Sequence, residues 1–574
     1  MADLLIRGGT VVDGTGETDA RRADVAIDGG RVTAIGEGLP ANGGEEVDAD
    51  GLVVAPGFID IHTHYDAQVF WDPTLSPSPL HGVTSVVGGN CGFSIAPLAA
   101  EHGEYLMKML ARVEGMPLES LEQGVPWDWT DFGDYLDRIE GRLSINAGFM
   151  VGHSALRRLV MGEAATQREA TEDEVGRMGD LLGESLAAGG MGFSSSWART
   201  HNDGSGDPVP SRHATAEEIV DLCRVVGRHE GTTLEFIPMV GPFEDWAKEI
   251  MTDMSLAANR PLNWNILVVM AGLDELTEGQ LTAGTHAAER GGRVIALTIP
   301  HGISPRLSFA SGFLLDTIPG WEKPMTLPHS EKLDLLASAE GRAKLLERAR
   351  EGGAIGGLAN WGQYVLTEVV AAENAAHEGR TVAEVAAETG KEPFDALLDI
   401  AVADDLRTGF SFPPSGESKE DYQARVKVWR DDRAIIGASD AGAHLDFLAT
   451  FNYATALLGN AVREYGVIPL EEAVYRISGE QADLYGLRDR GRLLEGAHAD
   501  VVVFDPETVG PEPIVSKEDL PGGGWRLFGG ATGIERVLVG GQEVVRGGEL
   551  TDARPGTVLR SGRDTDTVTV PAGG

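Results

Sequence analysis

The sequence predicts an α/β fold: a (β/α)8 TIM barrel joined to a small β-sandwich formed by both chain termini. Three observations predict it. Short apolar strands alternate with helical stretches through the middle of the chain, both ends are strand and glycine-turn sequence, and eight candidate strands can be counted between them.

Taken in order, residues 1–57 run LLIRGG, TVVDG, DVAIDGGRVTAIG and EEVDADGLVVAPG, with Gly29 and Gly30 supplying the positive φ of a tight hairpin turn. Residues 488–574 repeat this idiom in HADVVVFD and IERVLVGGQEVVRGGEL, so the two ends are expected to pair as the two parts of one sandwich. In the barrel segment, 58–487, the candidate strands are FIDIHTH (58–64), GVTSVVGGNCG (82–92), INAGFMVGH (145–153) and GGMGFSSS (189–196). The second four are TTLEFIP (232–238), LNWNILVV (262–269), RVIALTIPH (293–301) and AIIGASD (434–440). A segment of about 305–430 separates strands seven and eight, long enough to be a lid or an inserted subdomain.

Composition narrows the partners. Across 574 residues, 89 acidic against 47 basic residues give a formal charge of -42, which disfavours nucleic acid and anionic membranes and leaves a small-molecule substrate. A homo-oligomer is allowed. With only Cys91 and Cys223 there is no disulfide framework, and MADLLIRGGTVVDG has neither a basic leader nor a long apolar core. A cytoplasmic setting is expected.

The chemistry sits at strand ends. Residues i and i+2 of a strand share a face, so His62 and His64 in FIDIHTH both point towards the barrel axis, where two neutral imidazoles suit zinc or another divalent metal. Cys91, in the glycine nest GGNCG after strand two, is a thiolate ligand or nucleophile; the alternative is a small buried hydrophobe. Asp440, in GASDAGAH after strand eight, can ligate metal and take a proton from water, or it can cap the next helix. His444 follows in the same loop. His153 and His301 end strands three and seven and, with Ser195 of strand four, are candidates for substrate contact.

VAPGFIDIHTH, GGNCGFS, GASDAGAH and the closing GLRDRGRLLEGAHADVVVFDP resemble the amidohydrolase superfamily, and within it the N-acyl-D-amino-acid deacylase (D-aminoacylase) family, nearly end to end. The resemblance implies zinc-assisted hydrolysis of a linear amide bond in an N-acyl amino acid. It makes His62 and His64 the first-strand ligands, Cys91 the thiolate ligand, and Asp440 both ligand and general base.

The family pattern then breaks. Members carry a histidine and an arginine at strand five and a histidine at strand six, whereas this chain has Glu235 in TTLEFIP and Asn263 and Asn265 in LNWNI. None of its nine lysines falls at the end of strand three or four to bridge two metals. One zinc ion is therefore expected rather than two, held by His62, His64 and Asp440 with Cys91 or Glu235 contributing. Arg199, or else Arg306, is the candidate replacement for the carboxylate-binding arginine. Two other readings stand beside this one: a cyclic-amide hydrolase of the hydantoinase or dihydroorotase kind, and a scaffold that has lost catalysis.

Overall fold

A computed structural model describes residues 3–41, 43–351 and 357–571. Its centre is a run of parallel strands, labelled here β1 (Phe58–Asp60), β2 (Val83–Gly88), β3 (Asn146–Phe149 continued by Val151–Gly152), β4 (Gly192–Ser196), β5 (Thr233–Ile237), β6 (Leu262–Leu267), β7 (Val294–Thr298) and β8 (Ala434–Ile436). Each pairs in parallel with the next in sequence. Residues beyond β1 and β8 meet through a parallel bridge between Thr63 and Ala441. All eight are short and almost wholly buried, as parallel strands covered on both faces must be. Helices such as Glu172–Ala187 and Ala216–Val226 cover the outside, each opened by a threonine N-cap.

Both chain ends enter one nine-stranded sheet. At its middle Val53–Pro56 lies between Leu4–Val11, which it meets in parallel, and Val501–Phe504, which it meets antiparallel. Strand alternation divides the burial: Val501 and Val503 join a terminal cluster with Leu4, Ile6 and Val54, while Val502 and Phe504 join the main core with Val53 and Ala55. The tail then returns to the centre, where Val558–Leu559 pairs in parallel with β3.

The segment between β7 and β8 has a core of its own. Trp321 stacks on Trp361 with ring centres 5.3 Å apart, and Phe394, Tyr364 and Phe410 surround them. This core includes Phe447 from the loop after β8, so the insertion is anchored beside the end of that strand. Its last helix, Lys419–Trp429, buries Tyr422, Val426 and Trp429 in the main core instead. Among the described residues no helix is long and apolar enough to cross a membrane.

Candidate metal centre

Two backbone hydrogen bonds set the site. Asp440 N donates to His62 O at 3.0 Å and His64 N donates to Ala441 O at 2.7 Å, which locks the end of β1 against the loop after β8. The turn after β2 brings in Cys91. Gly89, Cys91 and Gly92 have φ of 73°, 55° and 79°, and a Cβ on Gly89 would lie 2.3 Å from Met150 O, so this turn requires glycine. Cys91 N donates to Glu235 Oε2 at 2.8 Å, joining the turn to β5. Cys91, Asp440 and His444 all hold left-handed φ without being glycine, a strain that concentrates at functional sites.

Asp440 Oδ1 is 3.5 Å from His62 Nε2 and 3.1 Å from His64 Nε2. Cys91 Sγ is 3.6 Å from His62 Nε2, and the candidate ligand atoms of His62, His64 and Cys91 all lie within 4.8 Å of one another. Ligands bound at about 2.0–2.3 Å to one tetrahedral zinc are separated by roughly 3.3–3.8 Å, which the 3.1–3.6 Å spacings of His62 and His64 from Asp440 Oδ1 and of His62 from Cys91 approach. Glu235 Oε1 is 4.0 Å from Cys91 Sγ, and Asn265 Nδ2 is 3.3 Å from His62 Nε2 and 3.6 Å from the sulfur.

The polarity of the donors gives an independent test of fit. His64 Nδ1 is 3.1 Å from Glu114 Oε1, and a carboxylate there takes the Nδ1 proton as a hydrogen bond. The Nε2 lone pair of a neutral His64 then faces a carboxylate oxygen, an arrangement that needs a positive charge between them. Two imidazoles, a carboxylate and a thiol converging in this way form the donor set of a divalent cation.

In the metal-free protein a proton supplies that charge. Burial pulls the His64 pKa down, but the charge of Glu114 and hydrogen bonds to Asp440, Cys91 and Glu114 hold it well above the ordinary value. Burial pushes Asp440 up, and hydrogen bonds from His62 and His64 outweigh it and hold the carboxyl well below its usual range. His62 is lowered by burial against the opposing pull of Asp440, and the Cys91 thiol is raised by burial and by Glu235. Burial raises Glu235 to about 8, only partly offset by Cys91 N–H.

A pH dependence follows for the metal-free protein. A carboxyl whose folded pKa lies above its unfolded value binds more protons when folded. Stability present below an unfolded pKa near 4.5 is therefore lost as pH rises through about 8. The raised His64 acts in the same direction. Chelated protein is expected to lose on the order of a few kcal/mol across this window, with Asp60 and Asp66, which burial raises to about 7, contributing alongside Glu235, and Glu235→Gln to reduce the slope at its upper end. Urea unfolding at several pH values measures both.

Access is uneven. The side chains of His62 and His64 are 1% and 5% exposed, whereas Asp440 keeps 26%, so the cluster is reached from the Asp440 side. His444 lies there, its Nε2 3.8 Å from Asp440 Oδ2 and its ring 4.7 Å from Phe313 of the insertion.

The structure thus brings together His62, His64, Cys91, Asp440, Glu235 and His444. His153 and Ser195, expected to contact substrate, are instead fully buried in a separate chain. Ser195 Oγ is 2.8 Å from His153 Nδ1, His153 Nε2 is 2.9 Å from Glu218 Oε1, and Arg157 pairs with Glu218. The reason is strand parity. Ser194 faces the Cys91 turn, accepting from Gly92 N at 3.0 Å, so Ser195 must point away from it, towards the helices.

Arg199 is exposed on the loop after β4 and pairs with no acidic group of the cluster. Arg306 is committed to Glu368, with Nη2 2.7 Å from Oε2. His301 turns Nδ1 onto Gly302 O at 2.7 Å and lines a neighbouring cavity. Asn263 donates to Leu234 O and Tyr485 Oη, leaving Asn265 as the strand-six member of the cluster. Sequence reasoning missed Glu114, and Asp60, which accepts from Ser439 Oγ beneath the histidines. Neither carries a spacing signal, because each meets its partner only through the fold.

Comparison with known proteins gives the family. The amidohydrolase family model matches residues 45–545. The D-aminoacylase of Alcaligenes xylosoxydans xylosoxydans is 31% identical over 562 residues, covering 97% of each chain. The N-acyl-D-aspartate deacylase of the same organism is 30% identical over 570 residues, 98% of this chain and 96% of that one. A crystal structure of D-aminoacylase matches with a TM-score of 0.64 at 28% identity, over 98% of this chain and 100% of that one. N-acyl-D-glutamate deacylase from Bordetella bronchiseptica, complexed with zinc and a phosphonate inhibitor, matches with a TM-score of 0.64 at 26% identity over the same shares. With the family model spanning most of its length and a ligand cluster at its strand ends, the chain belongs to the amidohydrolase family, as a metal-dependent amidohydrolase.

Proposed function

We propose that the chain hydrolyses the linear amide bond of an N-acyl amino acid or a close derivative, using one zinc ion held by His62, His64, Cys91 and Asp440 with Glu235 beside them. The observation that carries this reading is the convergence of His62, His64 and Cys91, whose ligand atoms lie within 4.8 Å of one another, with Asp440 Oδ1 3.5 and 3.1 Å from the two histidine Nε2 atoms. Such an ion supplies Lewis acidity, polarising the amide carbonyl and acidifying a water. The chain's own groups do the rest. Glu114 fixes the tautomer of His64. Asp440 turns Oδ1 to the histidines and Oδ2 towards His444, so Oδ2 holds the proton taken from water and delivers it to the leaving nitrogen. Phe313 covers His444 and limits water at the open side.

The relatives named as D-aminoacylase and N-acyl-D-aspartate deacylase support this substrate class. The same reading takes β1–β8, within residues 58–487, as a closed barrel. It takes the sheet of residues 1–57 and 488–574 as the accompanying sandwich, and the cytoplasm as the setting.

A turnover screen tests the proposal. Zinc-loaded protein is expected to release free amine from at least one N-acyl amino acid or derivative, chelated protein to release none, and added zinc to restore the rate. Folded, zinc-loaded protein that leaves every linear amide intact but opens a cyclic amide would replace this reading with its rival.

A further inference from the structure

Two members of the cluster sit in a backbone conformation that L side chains resist: Cys91 has φ of 55° and Asp440 has φ of 57°. A return to ordinary negative φ redirects the thiol or the carboxylate, so each residue has to be held where it is. Around each of them a single buried serine hydroxyl makes two hydrogen bonds.

At the turn after β2 this serine is Ser194 of β4, which is fully buried. Its Oγ donates to Gly89 O, two residues before Cys91, and accepts from Gly92 N, one residue after it, at 3.0 Å. Other strands take the remaining polar groups of the turn. Gly89 N donates to Asp66 Oδ2 at 2.8 Å, and Cys91 N donates to Glu235 Oε2 at 2.8 Å. Among the described residues Ser194 is the one side chain that ties the two sides of Cys91 together.

At the loop after β8 the serine is Ser439, also buried. Its Oγ donates to Asp60 Oδ2 at the end of β1 and accepts from Ala441 N at 3.0 Å, so it reaches across Asp440 from the residue before to the residue after. Thr450 Oγ1 donates to Ser439 O and fixes the same residue from further along the chain.

The chemistry favours serine at both places. Each clamp joins an acceptor, the Gly89 carbonyl or the Asp60 carboxylate, to a backbone N–H donor, and a hydroxyl donates and accepts at one atom. Alanine would leave both partners unpaired in a buried site and remove the bridge that opposes relaxation of the strained residue.

We propose that Ser194 and Ser439 are positioning residues, one for each strained ligand. Ser194 keeps the Cys91 sulfur on the metal, and Ser439 keeps the Asp440 carboxylate turned to it. Each acts through its ligand. The proposal rests on the cluster being a hydrolytic metal centre, and it gives the two serines separable effects.

The test loads the full chain with cobalt(II), because a thiolate bound to cobalt(II) gives a near-ultraviolet charge-transfer band while the visible ligand-field bands report the whole ligand set. Ser194→Ala is expected to weaken the charge-transfer band per bound ion and to lower cobalt affinity about 10–100-fold, the usual cost of losing a partner behind a metal ligand. Ser439→Ala is expected to keep that band, to shift the ligand-field bands, and to lower kcat by a similar factor, about 10–100-fold, with KM little changed. Ser195→Ala controls for lost packing. It is the next residue on β4, equally buried, and gives up a hydrogen bond to His153, so it should lower thermal stability while leaving both spectra and kcat in place.

A charge-transfer band untouched by Ser194→Ala, ligand-field bands untouched by Ser439→Ala, or the same losses in Ser195→Ala overturns the proposal. Unaltered protein without the charge-transfer band, or with a band that survives Cys91→Ser, takes Cys91 off the metal and the Ser194 clamp with it. Absence of turnover alongside both expected spectral changes sinks the hydrolytic reading instead and leaves the clamps standing.

Discussion

Replacing His62 and His64 together by alanine is expected to reduce bound zinc from near one equivalent to background and kcat/KM by roughly 10³-fold or more, with the far-ultraviolet circular dichroism unchanged. The size follows from what the pair does. Both Nε2 atoms face one oxygen of Asp440, the family's strand-five and strand-six histidines are replaced by Glu235 and Asn265, and His444 lies on the other oxygen, its Nε2 3.8 Å from Oδ2. Catalytic zinc sites keep about three protein ligands, so losing two leaves no site. Glu114→Gln makes a graded control. Among the described residues its carboxylate pairs with His64 Nδ1, and removing such a partner typically costs about 10–100-fold in metal affinity or activity. Zinc retained by the double alanine variant, measured by atomic emission after gel filtration, would place the ion elsewhere and overturn the assignment.

How much of this was legible in the sequence depends on the kind of signal. The alternation of strands and helices is local, and every one of the eight quoted segments contains a strand of the parallel series. The motifs HTH, GGNCG and GASD were legible because each ties a residue type to a strand end. Strand parity was harder. Ser194, Ser195 and Ser196 look alike in the sequence, but a shift of one residue reverses the face, and only register decides which serine meets the Cys91 turn. Long-range partners were not legible at all. Glu114 ends a helix some fifty positions from His64 and is recognisable only once folding places its carboxylate against the imidazole.

Asn263 and Asn265 show the same limit on a smaller scale. Both were named as stand-ins on strand six, and an alternating strand puts them on one face. Only Asn265, nearer the C-terminal end of β6, reaches His62 and Cys91, while Asn263 serves Leu234 O and Tyr485 a layer lower. The insertion is similar. Its length suggested a lid, but the link from Phe447 and Phe313 to His444 depends on tertiary packing.

Asp440→Asn is expected to lower kcat by about 10³–10⁴-fold while zinc stays close to one equivalent, which separates proton transfer from ligation. Asparagine is the informative replacement for two reasons. Asp440 has φ of 57°, a left-handed backbone that asparagine adopts readily and alanine resists, so the loop after β8 keeps its shape. The carboxamide oxygen can still face His62 and His64, but it cannot hold a proton at the atom that faces His444. General-base assistance contributes about 10²–10⁴-fold in rate, and the loss of a buried negative charge beside the ion accounts for the remainder. His444→Gln should cost less, because Asp440 Oδ2 would then exchange its proton directly through the open side on which 26% of the side chain is exposed. Zinc lost in proportion to activity in Asp440→Asn would reduce Asp440 to a ligand, and unchanged kcat with zinc retained would remove it from the reaction. In either case the proton must be carried by Glu235, the other carboxylate of the cluster, which burial holds near 8 and within reach of the Cys91 thiol.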